Sequence, residues 1–392
     1  MRTVICDLDR SARAGLGLDE RCDVVIGREQ IEASHACVGC FGCWTRTPGR
    51  CVLRDGLVEL GPLLGATDEL WVIAENSFGG YGGLVKRALE RTLPYLHPNF
   101  RIAGGQMHHR LRYPRTFTEK IWLYGPTTAR ERSCFEHLSA ANAVNQGAQL
   151  RGVWFPADPR ACGLEERSDE SAPEPEYFST PLGVPRHVAL LNASPRGEKS
   201  ATHALLADFW EALGVYAGES APAFVGEDSL SRADTLVLGY PLYVDAPPSG
   251  LIERLERWAR ERTLAPGTRV YAISNLGFYE ADQILPSFTV LENFCRATGG
   301  TWCGGLAVGG GGMVLPTTRG PRMGRMRQSR SEAIDQLVFA ALAGQRLDAA
   351  LEARCPVPRL AYKLAAEAGW RKARVDLDAR PAWQPESTSS EG

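Results

Sequence analysis

Four thiols lie close together in CVGCFGCWTRTPGRC, residues 37–51. Two residues separate Cys37 from Cys40 and Cys40 from Cys43, and seven separate Cys43 from Cys51. Three thiols so closely spaced wrap one small object, and a fourth beyond the Pro48-Gly49 turn closes a four-sulfur shell. Compact runs with two-residue gaps suit an iron–sulfur cluster. Zinc sites more often use two separated Cys-x2-Cys pairs. Reduced cysteines that only pack a loop show the same spacing, so cluster, zinc and no metal all stay open on the residues alone. The other seven, Cys6, Cys22, Cys134, Cys162, Cys295, Cys303 and Cys355, are scattered singly and are expected to be small buried hydrophobes.

A second stretch, NASPRGEKSAT from Asn192, offers anion chemistry. It follows an apolar run and precedes a helical one, so its backbone turns sharply and presents amides at a helix start, where unpaired donors and the helix dipole favour an anion. Ser194, Ser200 and Thr202 add hydroxyl donors, and Arg196 adds a cationic fork suited to phosphate oxygens. An ordinary helix cap with a solvent-facing arginine uses the same residues. Position separates the two, because ligands bind beyond the carboxyl ends of strands in a doubly wound sheet. Two later loops reach the same crevice. GYPLYVDAPPSG brings Pro241, Leu242 and Tyr243, with backbone amides and one aromatic face for a planar ring, and SNLGFYEADQ brings Asn275, Gly277, Phe278 and Tyr279.

These residues need a scaffold, and the chain repeats one. TDELWVIAENSFGGYGGLVKRALERT from Thr67 and ADTLVLGYPLYVDAPPSGLIERLERW from Ala233 both pass from an acid through a strand-like run and a punctuated loop into a charged amphipathic helix. Gly83, Leu84, Val85 and Arg87 are matched to Gly250, Leu251, Ile252 and Arg254. KIWLYGP and RVYAISNLG follow as strands, then helices ending near Gly147 and Gly299, then strands LRGVWF and GGLAV. Repeated strand–loop–helix units predict an α/β chain of two parallel sheets with helices on both faces. Residues 1–156 form the first domain, 157–186 a linker rich in Pro, Glu, Asp and Ser, and 187–380 the second domain with two C-terminal helices packed on it. Residues 381–392 are expected to be a disordered tail. A net charge of −2 argues against a nucleic-acid partner. No apolar run approaches membrane-spanning length, and the N-terminus has no export pattern, so a cytoplasmic location is expected.

The phosphate-type loop, PLYVDAPPSGL, GFYEADQ and the run GGLAVGGGGM together resemble the NADPH-dependent FMN reductases of the flavodoxin-like superfamily. The first half, through CVGCFGCW and PGRCVLRDG, GGYGGLVKRALERTLPYLHP and GGQMHHRLRYPR, is similar to flavodoxin-family proteins of the iron–sulfur flavoprotein type. The resemblance implies two tandem flavodoxin-like domains. It implies FMN with its phosphate on Ser194, Arg196, Ser200 and Thr202, its ring between the 241–246 and 275–279 loops, and Asn192, Pro241, Leu242, Tyr243, Asn275, Gly277 and Tyr279 also binding the cofactor. It also implies NAD(P)H as electron donor and a [4Fe–4S] cluster on Cys37, Cys40, Cys43 and Cys51. Ala201 and Ala246 depart from the family's polar residue and serine. The activity implied is hydride transfer from NAD(P)H to FMN and onward to an acceptor. No side chain stands out as an acid or base, and Tyr279 is the one candidate donor to the ring or a substrate. A one-electron carrier without a nicotinamide site, and a cofactor-free pair of degenerate domains, are the alternatives.

The halves differ where chemistry is expected. ICDLDRSARAG replaces the phosphate loop in the first half, where Asp7 and Asp9 repel phosphate and the helix is shortened. One FMN per chain is therefore expected, with Phe78 and Tyr81 retaining the look of a ring-contacting loop. An internal pseudo-dimer is expected, the Cys37–Cys51 segment facing the second domain's flavin, with further self-association left open. His108 and His109 read as solvated or capping. The glycines at 309–312 read as a tight turn or a close approach to the flavin, not as a dinucleotide fingerprint.

Overall fold

The computed structural model describes the backbone of residues 1–162, 164, 171–175 and 183–384. The remaining linker residues, the side chain of Cys162 and tail residues 385–392 lie outside the described part. The first half runs β1 (Arg2–Cys6), the short helix α1 (Arg10–Gly15), β2 (Val24–Ile26), β3 (Glu69–Ser77), α2 (Gly83–Glu90), a hairpin of β4 (Leu96–Ala103) and β5 (Gln106–Leu111), β6 (Thr118–Tyr124), α3 (Ala129–Gln146) and β7 (Gln149–Trp154). Short helical turns fill the stretch between β2 and β3. The second half runs β8 (His187–Asn192), α4 (Ala201–Ala217), β9 (Ala223–Val225), β10 (Thr235–Pro241), α5 (Ser249–Glu261), β11 (Arg269–Asn275), α6 (Leu285–Thr298), β12 (Thr301–Val308), α7 (Gln328–Leu342), β13 (Leu351–Ala353) and α8 (Arg359–Arg371).

Both sheets are parallel along their main order, the first also carrying the two-residue strand Gly80–Tyr81 antiparallel to β3. Their orders are β2-β1-β3-β6-β7 and β9-β8-β10-β11-β12-β13, so each half has the flavodoxin-like order in which the chain reverses direction beside its first strand. The central strands β10 and β11 are buried along their whole length, as helix cover on both faces demands of continuous apolar runs. Helix ends follow local chemistry. Thr128 and Glu131 form a reciprocal capping box at the start of α3, and Gly147 and Gly299 close α3 and α6 in the left-handed region. Cys6, Cys22, Cys134, Cys295, Cys303 and Cys355 are buried, as expected. Among the described residues no helix is long and apolar enough to cross a membrane.

The halves pack through matching elements, α2 on α5 and α3 on α6. Glu256 of α5 accepts from the Gly83 amide at 2.9 Å, and Glu90 of α2 accepts from the Ser249 amide at 2.7 Å and the Ser249 hydroxyl at 2.8 Å. Each helix therefore carries the carboxylate that caps the other's start, where the dipole favours negative charge. Asn293 of α6 donates to the Phe78 carbonyl at 2.9 Å, and Asn145 of α3 donates to the Asp245 carboxylate at 2.8 Å. Cys134 and Leu138 of α3 belong to the second half's core. The two halves are related by an approximate twofold axis, on which Arg87 meets Glu253 across 166 residues of sequence.

That spacing corrects the match of Gly83 to Gly250. Gly83 and Ser249 start the two helices, and Glu90 and Glu256 are the two caps, so the partner of Gly83 is Ser249. The Gly-Leu-[Val/Ile] motif repeats one residue out of step because helix starts are fixed by the preceding turns. The C-terminal helices also divide. α7 packs on α4 and β12 of the second half, whereas α8 crosses to β4 of the first. The chain after α8 stays on the first half, with Arg112 donating to the Leu377 and Ala379 carbonyls and Tyr113 to the Pro381 carbonyl. Arg50 donates to the Ala382 carbonyl and Trp383 packs on the first half's core, so residues 381–383 are anchored, contrary to the tail expectation.

Candidate functional site

The loop after β8 stands at the carboxyl edge where the strand order reverses, between β8 and β10. Asn192 ties it together, accepting from the Ser194 amide at 3.0 Å and donating to the Gly197 carbonyl at 3.0 Å. Ser200 caps α4 by accepting from the His203 amide at 3.0 Å, and its hydroxyl donates to Gly197 at 2.6 Å. The first amides of α4, those of Ala201 and Thr202, thus face the loop without an intrahelical acceptor. Residues 195–199 are exposed, including the cations Arg196 and Lys199. Thr202 differs from the expectation: its hydroxyl is buried and donates to Asn275 Oδ1 at 2.8 Å, so it braces the loop after β11.

The ring-type loops leave β10 and β11 side by side. Pro241 pairs with Asn275 in the sheet, and the Leu242 amide donates to the Asn275 carbonyl at 2.8 Å. Tyr243 to Ala246 close a tight turn with Val244 and Asp245 at φ 47° and 52°. Two consecutive non-glycine residues in the left-handed region, one β-branched, are strained by on the order of 1–3 kcal/mol each. The first half holds the turn there. Lys86 donates to the Tyr243 carbonyl, Asn145 binds Asp245, and Val244 packs into the first half's core. On the other loop, the Gly310 and Gly311 amides donate to the Phe278 and Leu276 carbonyls. A Cβ on Gly309 would stand 2.4 Å from the Tyr279 carbonyl oxygen. The glycine run thus permits a close approach to this loop.

The cover over these loops comes from the first half and α8. A Cβ on Gly39 would lie 2.3 Å from the Tyr243 hydroxyl and 3.2 Å from Arg196 Cγ, and Arg196 sits over the Phe41 ring at 5.9 Å. The thiol segment therefore lies against both the phosphate-type loop and the first ring loop. The hairpin covers the second. The Met107 amide donates to Glu280 at 2.8 Å, and Phe278 packs edge-on against Phe100, His108 and His109. Tyr362 of α8 donates to the Gly277 carbonyl at 2.7 Å, and Tyr279 lies beside its ring. His108 is thus buried and His109 half-buried, both packed on rings and not solvated. Burial holds both below the usual imidazole range, His109 at about 3. The hairpin itself was missed, although FRIAGGQMHHRL carries the signal: Gly104 and Gly105 both have positive φ, as a two-residue hairpin turn needs.

The four cysteines of the segment are free thiols. Burial raises the Cys43 thiol, and the charges of Cys37, Cys51 and Cys40 raise it further, so the four share one neighbourhood. Among the described residues no group of three or more His, Cys, Asp or Glu side chains is arranged to hold a metal ion. The cluster and zinc expectations thus find no support among the described residues.

The first half has filled its own counterpart of the phosphate loop. Asp7 is buried at the end of β1, accepting from the Glu75 amide at 2.8 Å and the Tyr124 hydroxyl at 2.9 Å. Burial pushes its carboxyl up to about 6 despite those bonds. Phe78 and Tyr81 do not line an open face. Phe78 packs on Phe294 of the second half, and Tyr81 is buried on Phe135. Lys86, Glu90, Asn145 and Asp245 are the site-supporting residues that sequence reasoning missed. The Gly-Leu-[Val/Ile] motif places Lys86 and Glu90 on a charged helix and so, to the eye, on a solvated face.

No protein-family model and no curated protein matches the chain. Solved structures similar to parts of it include the flavodoxin, WrbA-like protein from Agrobacterium tumefaciens, at 12% identity and TM-score 0.25, over 48% of this chain and 94% of that one. Azoreductase from Bacillus anthracis str. Sterne aligns at 13% and 0.29, over 39% and 98%. NAD(P)H:quinone oxidoreductase from Methanothermobacter marburgensis aligns at 17% and 0.27, over 39% and 94%. The fold assignment itself rests on the strand orders: two flavodoxin-like α/β domains in tandem.

Proposed function

We propose that the chain is an FMN-dependent oxidoreductase that takes electrons from NAD(P)H and passes them to an acceptor. The observation that carries this reading is the exposed loop after β8. It offers free helix-start amides and the cations Arg196 and Lys199 at the switch point of the second sheet, next to two aromatic-bearing loops. These residues fit a phosphate-bearing planar cofactor. Ser194, Arg196 and the Ala201 and Thr202 amides would hold the phosphate, with Asn192 keeping the loop in shape. Tyr243, Phe278 and Tyr279 would bound the ring. When bound, FMN would supply the two-electron chemistry that no side chain here supplies.

The chain's own residues do the rest. Lys86 and Asn145 keep the Tyr243–Ala246 turn in its strained form, so the loop is set before a ligand arrives. Phe41 and Trp44 stack at 5.3 Å, Trp44 lies beside His109 at 4.6 Å, and Phe100 and His109 pack on Phe278, so a run of rings walls the second ring loop. This arrangement supports an internal pseudo-dimer, in which the half without a phosphate loop covers the site of the half with one. The first half's Asp7 supports a single FMN per chain.

Flavin quantitation after full reconstitution, followed by rapid mixing with NADH and NADPH, tests the reading. One equivalent of FMN, reduced by a nicotinamide within turnover time, is expected. Failure to bind FMN overturns it, and slow nicotinamide reduction with fast single-electron exchange makes the chain a carrier. Iron and sulfide assays on the same anaerobic sample decide separately whether the thiols close on a cluster.

A further inference from the structure

The stretch TRGPRMGRMRQSR, residues 318–330, carries five arginines and no acid, and the ring loops use none of them. Two of the five spend their charge locally. Arg322 pairs with Asp335 of α7, and Arg327 donates to the Asp208 carboxylate of α4 at 2.8 Å and to the Thr318 and Gly320 carbonyls. Arg330, in the first turn of α7, does not. It is 6% exposed, and its acceptor among the described residues is the Thr317 hydroxyl, 3.3 Å from each terminal nitrogen. Its Nε is buried with no acceptor. Asp208, already held by Arg327, stands 4.0 Å from that nitrogen, beyond hydrogen-bond reach. A buried cation so poorly matched is costly.

Arg330 lines a narrow pocket beyond the carboxyl ends of β12 and β13. Arg327 and Arg354 line it too, with Ser329, Gly309 and Gly310, and no carboxylate does. Ser329 and Arg330 belong to the first turn of α7, a helix of 15 residues, whose starting amides have no intrahelical acceptor and whose dipole favours negative charge there. Arg354 is exposed, and its amide donates to Ser329 Oγ at 2.9 Å, which ties β13 to the helix start. The opposite wall is shared with the second ring loop, because the Gly310 amide donates to the Phe278 carbonyl at 2.6 Å.

We propose that this pocket is a second anion site, which holds a phosphomonoester borne by a molecule that works at the ring loops. The molecule's business at the ring rests on the flavin reading above; the anion site does not. Three guanidinium groups and a helix start suit the charge and acceptor oxygens of a phosphomonoester. A carboxylate, the usual partner of a bare ribose hydroxyl, is missing from the lining. The narrow shape takes a compact tetrahedral group, not a base or a ring. Burial lowers the Arg330 guanidinium, Asp208 offsets part of this, and Arg327 and Arg322 lower it further, so a bound anion supplies the compensation that Arg330 lacks. Two visitors carry such a group: a nicotinamide donor phosphorylated on its ribose, and an acceptor with a phosphate of its own.

Calorimetric titration with inorganic phosphate, against chloride at equal ionic strength, tests the site. Binding should weaken about tenfold or more in Arg330→Met and in Arg354→Ala, as for hydrogen bonds to a charged group, and should survive Arg196→Ala, which disables the loop after β8. Arg354 is exposed, so its variant decides the matter if Arg330→Met fails to fold. Phosphate that does not bind, or that binds Arg354→Ala as tightly as the parent, overturns the site whether or not FMN binds. Steady-state turnover then separates the visitors. If the donor's phosphate enters, Arg354→Ala should lower the preference for NADPH over NADH in kcat/KM about tenfold. If the acceptor's does, that preference should stay and inorganic phosphate should compete with the acceptor. Phosphate that fills the pocket yet competes with neither overturns the link to the ring.

Discussion

Arg196 is the side chain on which the phosphate reading most directly depends. It is exposed, carries no ion pair among the described residues, sits over the Phe41 ring and against Gly39, and its charge reaches the Tyr243 phenol. Arg196→Ala should therefore weaken FMN by about 1.5–3 kcal/mol, the range for a hydrogen bond to a charged group, with little loss of melting temperature. Flavin-fluorescence titration checks it. Glu119 makes a different prediction, about stability. Its folded carboxyl sits near 8 against an ordinary 4.5, so across that window the unfolded chain ionises while the folded one does not. Stability is therefore full below about pH 4.5 and falls as pH rises toward 8. Glu119→Gln should flatten this fall and be more stable than the parent by a few kcal/mol above pH 8, as denaturant midpoints at pH 5 and pH 9 would show. The phosphate loop was legible because Ser, Arg and a helix start are local. Glu119 was not, since KIWLYGP reads as a strand and its neighbouring acid gives no sign of facing inward.

At the scale of elements, the swapped caps are the contacts most worth breaking. Glu90 caps α5, and it pairs with Lys86 at 3.0 Å with both side chains 1% exposed. Burial lowers Lys86, and Glu90 opposes that shift. Glu90→Ala should destabilise the chain by about 3–5 kcal/mol, the cost of leaving one member of a buried pair uncompensated. It should also loosen the Tyr243 turn, since Lys86 loses its second anchor, and FMN affinity should fall with it. Calorimetry and flavin titration on the same variant check both. Strands were legible as apolar runs, and Gly147 and Gly299 marked helix ends correctly. The slip of one residue between the repeats arose because a motif match follows residue types, whereas helix starts follow turn geometry. α3 was legible as a helix but not as a polar one: Ser139, Asn142 and Gln146 form part of its buried face, and no apolar stripe announces which side is inside.

At the scale of the whole molecule, the contacts between halves are numerous enough to outlast the linker. Proteolytic cleavage within residues 165–182 should leave the two fragments associated and the bound FMN fraction unchanged, as size-exclusion chromatography with flavin detection would show. Separation of the fragments on cleavage would mean that the linker alone joins them. The doubly wound halves could be read from repetition in the sequence. The route of α8 back over the first half could not, because YKLAAEAGWR carries an apolar face without naming the surface that receives it.

Arg87 and Glu253 occupy equivalent places on the approximate axis, and they are opposite in charge. In a pair of identical subunits a residue on the axis meets its own copy, so arginine would face arginine or glutamate would face glutamate, at a mutual cost. Fusion into one chain lifts that restriction and lets one side of the contact become the complement of the other. Expressed apart, the two halves should therefore pair with each other in preference to their own kind.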